Sequence, residues 1–395
     1  MENILHYLGR DSAMFSDDLQ HQHQQLHDLL LNSSCLVLGA AGTIGQAVSR
    51  LLMQYGPAKL HLVDISENNL VELVRDLRSR HEIFPANFQA LALDIGSVAY
   101  DRFIASDGRY DYVLNLSALK HVRSEKDVFT LMRMIEVNIL NTEKTIQQSI
   151  QHGVKKYFCV STDKASNPVN MMGCSKRIME MVLCHYSNQI SISTARFANV
   201  AFSDGSLLHG FRQRLIKQQP LAAPNDIKRY FITDDEAAIL CVLSCCFGKT
   251  RDIYFPKLAE DQLISMTTIA EKFLQQQGFQ VQLCPTEQTA RAAMATAIAQ
   301  QQWPCIFTPT DTTGEKEAEE FFEDNDQPDF DTYRQIGVLH QAHFATQHQI
   351  SHFHQQLAEF RNQAVWHKAE LVALFQLLVP GFSHTETGKF LDGKM

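Results

Sequence analysis

Apolar residues along the first two hundred positions fall alternately into short continuous runs and into repeats three and four residues apart. A short apolar run bounded by turn signals marks a buried strand, and the longer period marks one face of a helix. On this reading Ser34–Leu38, Leu60–Val63, Phe88–Leu93, Tyr112–Leu116, Val154–Val160 and Ile192–Phe197 are six strands. One helix between them carries Val48, Leu51, Leu52 and Tyr55 and closes at Gly56-Pro57; a second carries Leu70, Leu73, Val74 and Leu77 behind Ser66 as cap. A long helix runs through Leu131, Ile135, Ile139, Leu140 and Ile146 to Gly153, and another starts near Met171. Strands alternating with helices predict an α/β fold with a doubly wound parallel sheet of Rossmann type, ligand lying at the strands' carboxyl ends.

The remaining pattern divides the chain. Residues 1–33 are a helical lead-in through Leu26, Leu29 and Leu30, and 34–250 form the nucleotide-binding unit, with loops 199–230 lining the substrate. Ala237–Phe247 reads as a buried helix too short to span a bilayer. Residues 251–330 form a smaller substrate-binding region with a helix at Thr267–Gln277, a strand at Val281–Leu283, a further helix and an apolar run at Cys305–Phe307. Glu317–Asp331 is acidic and is expected as an exposed loop or linker. Residues 331–395 form a helical extension whose apolar positions, Phe353, Leu357, Phe360, Leu371, Leu374, Phe375 and Leu378, require a partner surface.

Composition narrows the function classes. At 395 residues two domains are expected, and the content of 45% hydrophobic and 20% charged residues is that of a globular protein. A formal net charge of −9 argues against nucleic acid or an anionic membrane as partner. Nine cysteines without a C-x-x-C pair, and no secretory leader, fit reduced thiols in a cytoplasm. His348, His352 and His354 lack a cysteine or carboxylate cluster beside them and are expected on a solvated face, with no metal site.

The first strand runs into Gly39-Ala40-Ala41-Gly42-Thr43-Ile44-Gly45 and then a helix. Strand, glycine loop and helix in this order suit a dinucleotide, with the pyrophosphate on the helix amino terminus. The second strand ends at Asp64, nineteen residues beyond Gly45, where a carboxylate accepts hydrogen bonds from both adenosine ribose hydroxyls. The same carboxylate repels a 2′-phosphate and no arginine follows in Ile65–Leu70, so NAD is favoured over NADP. Asp94, closing the third strand, is either an adenine-side contact or a turn residue. The other strand ends present Ser117–His121 and Ser161–Lys164, and Met172 and Lys176 stand one helical turn apart.

These motifs resemble the extended short-chain dehydrogenase/reductases, and within them the UDP-N-acetylhexosamine 4,6-dehydratases of polysaccharide biosynthesis. The matching stretches are LGRD (8–11), GAAGTIG, VDISENNL, SALKHV, EVNILNT, STDKASNPVNMMGCSKR, ARFANVAFSDGS, KRYFIT and TTGEKEAEEFF, in family order over residues 8–322. Met172 stands where most relatives carry the tyrosine of a Tyr-x-x-x-Lys pair, as in the branch thought to retain configuration at C5. The resemblance implies oxidation at sugar C4 by NAD, loss of water across C5–C6 and hydride return to C6. It makes Lys164 the C5 base, Asp163 the C6 acid, Thr162 a partner of the C4 oxygen and Lys176 the holder of the nicotinamide ribose. With the glycine loop, Asp64, Ser66 and Asp94, the cofactor side takes Ile95, Ser117, Ala118, Lys120 and Asn138.

The substrate side takes Lys120, His121, Asn199, Ser206, Arg229, Lys257 and Glu315, the Arg229 fork suiting a diphosphate. A thioether cannot relay a proton as a phenolate does. Either Asp163, Lys176 or a water takes the C4 proton, or Met172 is packing beside the sugar. Adjacent opposite charges oppose the protonation states that Asp163 and Lys164 need, so the pair is expected not to be a simple salt bridge. The implied partner is a UDP-N-acetylhexosamine, with a homo-oligomer as the implied assembly. The rivals are a UDP-sugar 4-epimerase or C4 oxidoreductase, which has no use for the Asp163-Lys164 pair, and a non-catalytic NAD-binding scaffold.

Overall fold

The computed structural model of the chain describes residues 4–310, 319–340, 342 and 347–384. All six expected strands form: β1 (Ser34–Leu38), β2 (Lys59–Asp64), β3 (Asn87–Ala92), β4 (Tyr112–Asn115), β5 (Lys156–Thr162) and β6 (Ser191–Phe197). They join in the order β6-β5-β4-β1-β2-β3, extended beyond β6 by Asp252–Pro256 and then Ile336–Leu339, into one eight-stranded sheet. Every pairing is parallel except that of Ile336–Leu339, which runs antiparallel to Asp252–Pro256. The strand order reverses between β1 and β4, which opens a crevice at the carboxyl ends of these two strands.

Alternate side chains of each strand enter opposite cores. Leu36 and Leu38 of β1 face one hydrophobic cluster while Cys35 and Val37 face the other; Tyr157 and Cys159 of β5 are likewise separated from Phe158 and Val160. The helices Thr43–Met53, Glu67–Arg80 and Asp234–Phe247 cover one face. The other is covered by Val98–Asp107, the run from Val128 to Gln151, and Met171–Tyr186. The apolar faces of Gln347–Arg361 and Lys368–Leu378 find their partner in this chain: Phe353, Leu357, Phe360, Leu371, Phe375 and Leu378 are buried in the cluster that holds Ile178, Met179 and Val182. Each such side chain contributes about 1.5–3 kcal/mol by leaving water.

A third cluster lies around a small parallel sheet of Gln280–Leu283, Gln302–Thr308 and Leu221–Pro224, with helices Met266–Gln276 and Glu287–Ala299. The lead-in ties this unit to the large one. Tyr7 and Leu8 are buried in the third cluster, while Arg10 forks onto Glu236 at 2.8 and 2.8 Å and Met14 N–H donates to the same carboxylate at 2.7 Å.

Three features depart from the sequence pattern. The strands Asp252–Pro256 and Ile336–Leu339 belong to the large sheet, although they fall in the stretches expected for substrate binding and for the helical extension. The long helix is broken by a π turn at Glu136–Leu140, which the 3.6-residue period does not reveal. The described part of the acidic stretch is not simply exposed, because Phe321 is buried and stacks on Phe255 with centroids 5.9 Å apart.

Candidate active site

The glycine loop is shaped by two close backbone approaches. Gly39 has φ +75°, and a Cβ there would lie 2.7 Å from Ser117 N; a Cβ on Gly45 would lie 2.1 Å from the Gly39 carbonyl oxygen. Gly42 is the N-cap of Thr43–Met53, and no side chain caps that helix. Its first N–H groups therefore face the crevice with the partial positive charge of the helix end, which fits a pyrophosphate. Asp64 accepts from Ala41 N–H at 2.9 Å on one oxygen and from Ser66 N–H at 2.8 Å on the other, and each oxygen keeps acceptor capacity for a ribose hydroxyl. Ser66 caps the next helix through Asn69 N–H.

Asp94 accepts from Gly96 N–H at 2.8 Å and pairs with Arg133 at 3.1 Å, beside buried Ile95. A cavity of about 260 Å³ lies against it, lined in part by Ser97, Arg133 and Asn141.

The loop after β4 is anchored on three sides. Ser117 N–H donates to Asn115 Oδ1 at 3.1 Å, and Ala118 follows half-buried. Asn138, inside the π turn, exchanges two hydrogen bonds of 3.0 Å with the Leu119 backbone and donates to Ser175 Oγ at 2.9 Å. The extra residue of the π turn thus aims one amide at both the loop and the helix of Lys176. Lys120 Nζ reaches Ser203 Oγ at 3.0 Å, Asp204 N–H donates to Thr43 Oγ1 at 3.0 Å, and Ile44 follows half-buried. A Cβ on Gly205, at φ +71°, would lie 2.7 Å from His121 Nε2, so this glycine lets the ring lie against the backbone. Lys120 and His121 keep solvent contact, yet surrounding atoms displace enough water to lower both pKa values; the charges of Lys120 and Arg123 lower that of His121 further.

At the end of β5, Thr162 Oγ1 donates to Asp163 Oδ1 at 2.8 Å, and Lys164 Nζ lies 3.1 and 3.3 Å from the two oxygens of the buried Asp163 carboxylate. The expectation that this pair avoids a salt bridge is corrected: adjacent positions on a tight 3-10 turn bring the two groups together. Asn170 caps the following helix through Gly173 N–H at 2.7 Å. A Cβ on Gly173 would meet the Lys164 carbonyl oxygen at 2.3 Å, so only glycine lets the helix rest on the turn. Met172 is buried, and Lys176, one turn on, is 3% exposed with Nζ donating to the Val160 carbonyl at 3.0 Å. Burial lowers the Lys176 pKa.

Asn199 and Arg229 converge on a residue the sequence reading missed. Asn199 Nδ2 donates to Glu319 Oε1 at 2.7 Å, and Arg229 Nε lies 3.7 Å from the same oxygen. Glu319 was hidden by the acidic composition of its neighbourhood; its signals were its place in the TTGEKEAEEFF stretch and two residues before the Phe-Phe pair. Two expected substrate residues are engaged elsewhere. Ser206 Oγ caps Leu207–Ile216 through His209 N–H at 3.2 Å, and Lys257 Nζ donates to the carbonyls of Phe330 and Tyr333. Glu315 lies outside the described residues. Among the described residues no group of three or more His, Cys, Asp or Glu side chains could hold a metal ion, and no helix is long and apolar enough to cross a membrane.

A family model described as "Polysaccharide biosynthesis protein" matches residues 35–340. The chain belongs to this family. It is similar to a protein of Campylobacter jejuni named UDP-N-acetylglucosamine 4,6-dehydratase (inverting), at 26% identity over 241 residues, 58% of this chain and 69% of that one. It spans only 38% of the length of a longer relative, the capsular polysaccharide biosynthesis protein CapD of Staphylococcus aureus, at 28% identity over 57% of this chain. Among solved structures, Pen from Bacillus thuringiensis superposes with a TM-score of 0.64 at 22% identity, over 79% of this chain and 89% of that one. DesIV, a dTDP-glucose 4,6-dehydratase from Streptomyces venezuelae solved with NAD, gives 0.55 at 17% identity, over 73% and 88%. The likeness to both is one of fold: a parallel α/β sheet of Rossmann type.

Proposed function

We propose that the protein is an NAD-dependent UDP-N-acetylglucosamine 4,6-dehydratase that makes a UDP-4-keto-6-deoxy-N-acetylhexosamine for polysaccharide or glycan assembly in the cytoplasm. One observation carries the reading: an aspartate and a lysine in contact at the carboxyl end of β5, beside the dinucleotide crevice. Oxidation or epimerisation at C4 has no use for such a pair, whereas elimination across C5–C6 needs one acid and one base at once.

NAD, when bound, supplies the acceptor for the C4 hydride and the donor that returns it to C6. Gly39, Gly42, Thr43, Ile44 and Gly45 hold its pyrophosphate and Asp64 its adenosine ribose, with Lys176 toward the nicotinamide end. Thr162 orients the C4 oxygen. Moving one proton across the 3.1 Å contact from Lys164 Nζ to Asp163 Oδ1 turns the ion pair into a neutral amine and a carboxylic acid. The contact that looks like an obstacle is therefore the source of the acid and the base. Lys164 then takes the C5 proton, the C6–O bond breaks with its electron pair, and Asp163 gives its proton to the departing hydroxyl. Lys164 returns a proton to C5 as the hydride reaches C6. Arg229 and Asn199 face the diphosphate and N-acetyl side of the sugar.

The test is to mix the purified protein with UDP-N-acetylglucosamine and NAD and weigh the nucleotide sugar by mass spectrometry. A product lighter by one water supports the reading. Unchanged mass with inversion at C4 would instead establish the epimerase.

A further inference from the structure

The reaction just described leaves one proton unassigned. Oxidation at C4 releases the hydroxyl proton, and the last step leaves the Asp163–Lys164 pair short of one. A phenol at position 172 could hold it in between, but this chain has a methionine there, with no exchangeable proton. A store is needed that is buried, close to Asp163 and open to protonation.

Glu319 is the candidate, since the charges of both Asp163 and Lys164 act on it. Its side chain is 3% exposed. Oε1 is taken by Asn199 at 2.7 Å, with Arg229 Nε at 3.7 Å, while Oε2 is buried and has no hydrogen-bond partner among the described residues. A buried carboxylate oxygen without a partner costs free energy that a proton removes. We propose that Glu319 is the store for the C4 hydroxyl proton and acts through Asp163, a role that rests on the dehydratase reading above. As the C4 hydride leaves, the O4–H electron pair forms the ketone and the proton ends on Glu319 Oε2. After C5 is reprotonated, Glu319 gives that proton back to the Asp163–Lys164 pair. Over the cycle the C4 hydroxyl proton leaves in the water molecule, and no outside acid or base is consumed.

The charges around Glu319 suit the task. In the ion-pair form of the site, burial raises its pKa and the negative charge of Asp163 raises it further, while Arg229 and Lys164 oppose them without cancelling the rise. Tyr230, whose own pKa is raised mainly by burial, also feels the charge of Glu319. A carboxyl raised toward working pH both takes and releases a proton readily.

Glu319→Gln keeps the shape and the bond to Asn199 but cannot store a proton, whereas Glu319→Asp keeps the carboxyl. In single-turnover mixing with UDP-N-acetylglucosamine, Glu319→Gln should slow formation of reduced cofactor on the order of 100-fold or more. It should also lose the acid limb of the wild-type pH profile, and Glu319→Asp should restore part of both. A Glu319→Gln rate within about threefold of wild type with the acid limb intact would overturn the proposal. Infrared difference spectra of wild type against Glu319→Gln give a second readout independent of turnover. A carboxylic-acid carbonyl band titrating above the ordinary glutamate range is expected, and its absence overturns the store. Wild-type protein that removes no water from the sugar overturns the dehydratase reading instead, a result distinct from a failure confined to the variant.

Discussion

Replacing Gly45 by alanine sets a Cβ 2.1 Å from the Gly39 carbonyl oxygen and 2.7 Å from both the Ala40 Cα and carbonyl carbon. All three are backbone atoms of the loop, so no side chain can swing away; the loop and the start of Thr43–Met53 must separate. Overpacking of this kind costs about 1–3 kcal/mol where the surroundings can shift, and backbone contact this short belongs at or above the top of that range. Gly39→Ala adds a left-handed backbone cost of roughly 1–2 kcal/mol to a contact of 2.7 Å with Ser117 N. Gly42→Ala differs, because its Cβ would be 3.6 Å from the Gly39 oxygen, an ordinary contact, and φ is −72°. Thermal unfolding with and without NAD separates the cases. Gly39→Ala and Gly45→Ala should lower Tm by several degrees and abolish the NAD-dependent rise. Gly42→Ala should keep the wild-type Tm without NAD and lose most of the rise, its methyl group standing where the pyrophosphate approaches. Wild-type melting and NAD response in Gly45→Ala would refute the packing argument.

Further outcomes follow from the same geometry. Lys164→Gln should still form reduced cofactor with UDP-N-acetylglucosamine but lose water elimination by on the order of 100-fold or more, read by stopped-flow absorbance and mass spectrometry. Arg196→Ala removes the two bonds of 2.9 and 2.8 Å to the buried Glu180 carboxylate, leaving it Ser161 Oγ at 2.6 Å and Arg177 at 3.9 Å, and frees the Phe321 carbonyl. The cost should be about 3–5 kcal/mol in denaturant unfolding. His340 faces Asp252 at 3.0 Å and Asp329 at 3.1 Å; burial opposes its charge, but the two carboxylates outweigh it and raise its pKa above 6.5. Its contribution to stability is therefore full below pH 6.5 and lost as pH rises through the folded value. Comparing Tm of wild type and His340→Gln across that window should show a gap at low pH that closes at high pH.

The six strands of the central sheet were legible because apolar runs and helix periods are local signals. Ile336–Leu339 was not, since four residues amid polar neighbours carry no period of their own. The π turn was hidden because Leu131 to Ile146 stay apolar at helical spacing whether or not one residue bulges. The grouping of residues was legible where the chain brings its own neighbours together, as at Gly39–Gly45 with Asp64, whereas at Thr162–Lys164 the adjacency was legible and the contact of the two charges was not. Nor was the grouping legible where distant segments meet. Glu319 reaches Asn199 across 120 positions, and Gly173 fits the Lys164 carbonyl only once the helix has docked. Lys257 illustrates the converse: a cation suited to phosphate is held by backbone carbonyls that sequence spacing does not disclose.

The central claim is elimination across C5–C6, and the most direct measurement is proton NMR of UDP-N-acetylglucosamine turned over by the purified protein in deuterated water. The account predicts a 4-keto-6-deoxy sugar carrying deuterium at C5, because Lys164 exchanges the proton it removes before returning one. A sugar that keeps its C6 hydroxyl and its C5 proton would contradict it.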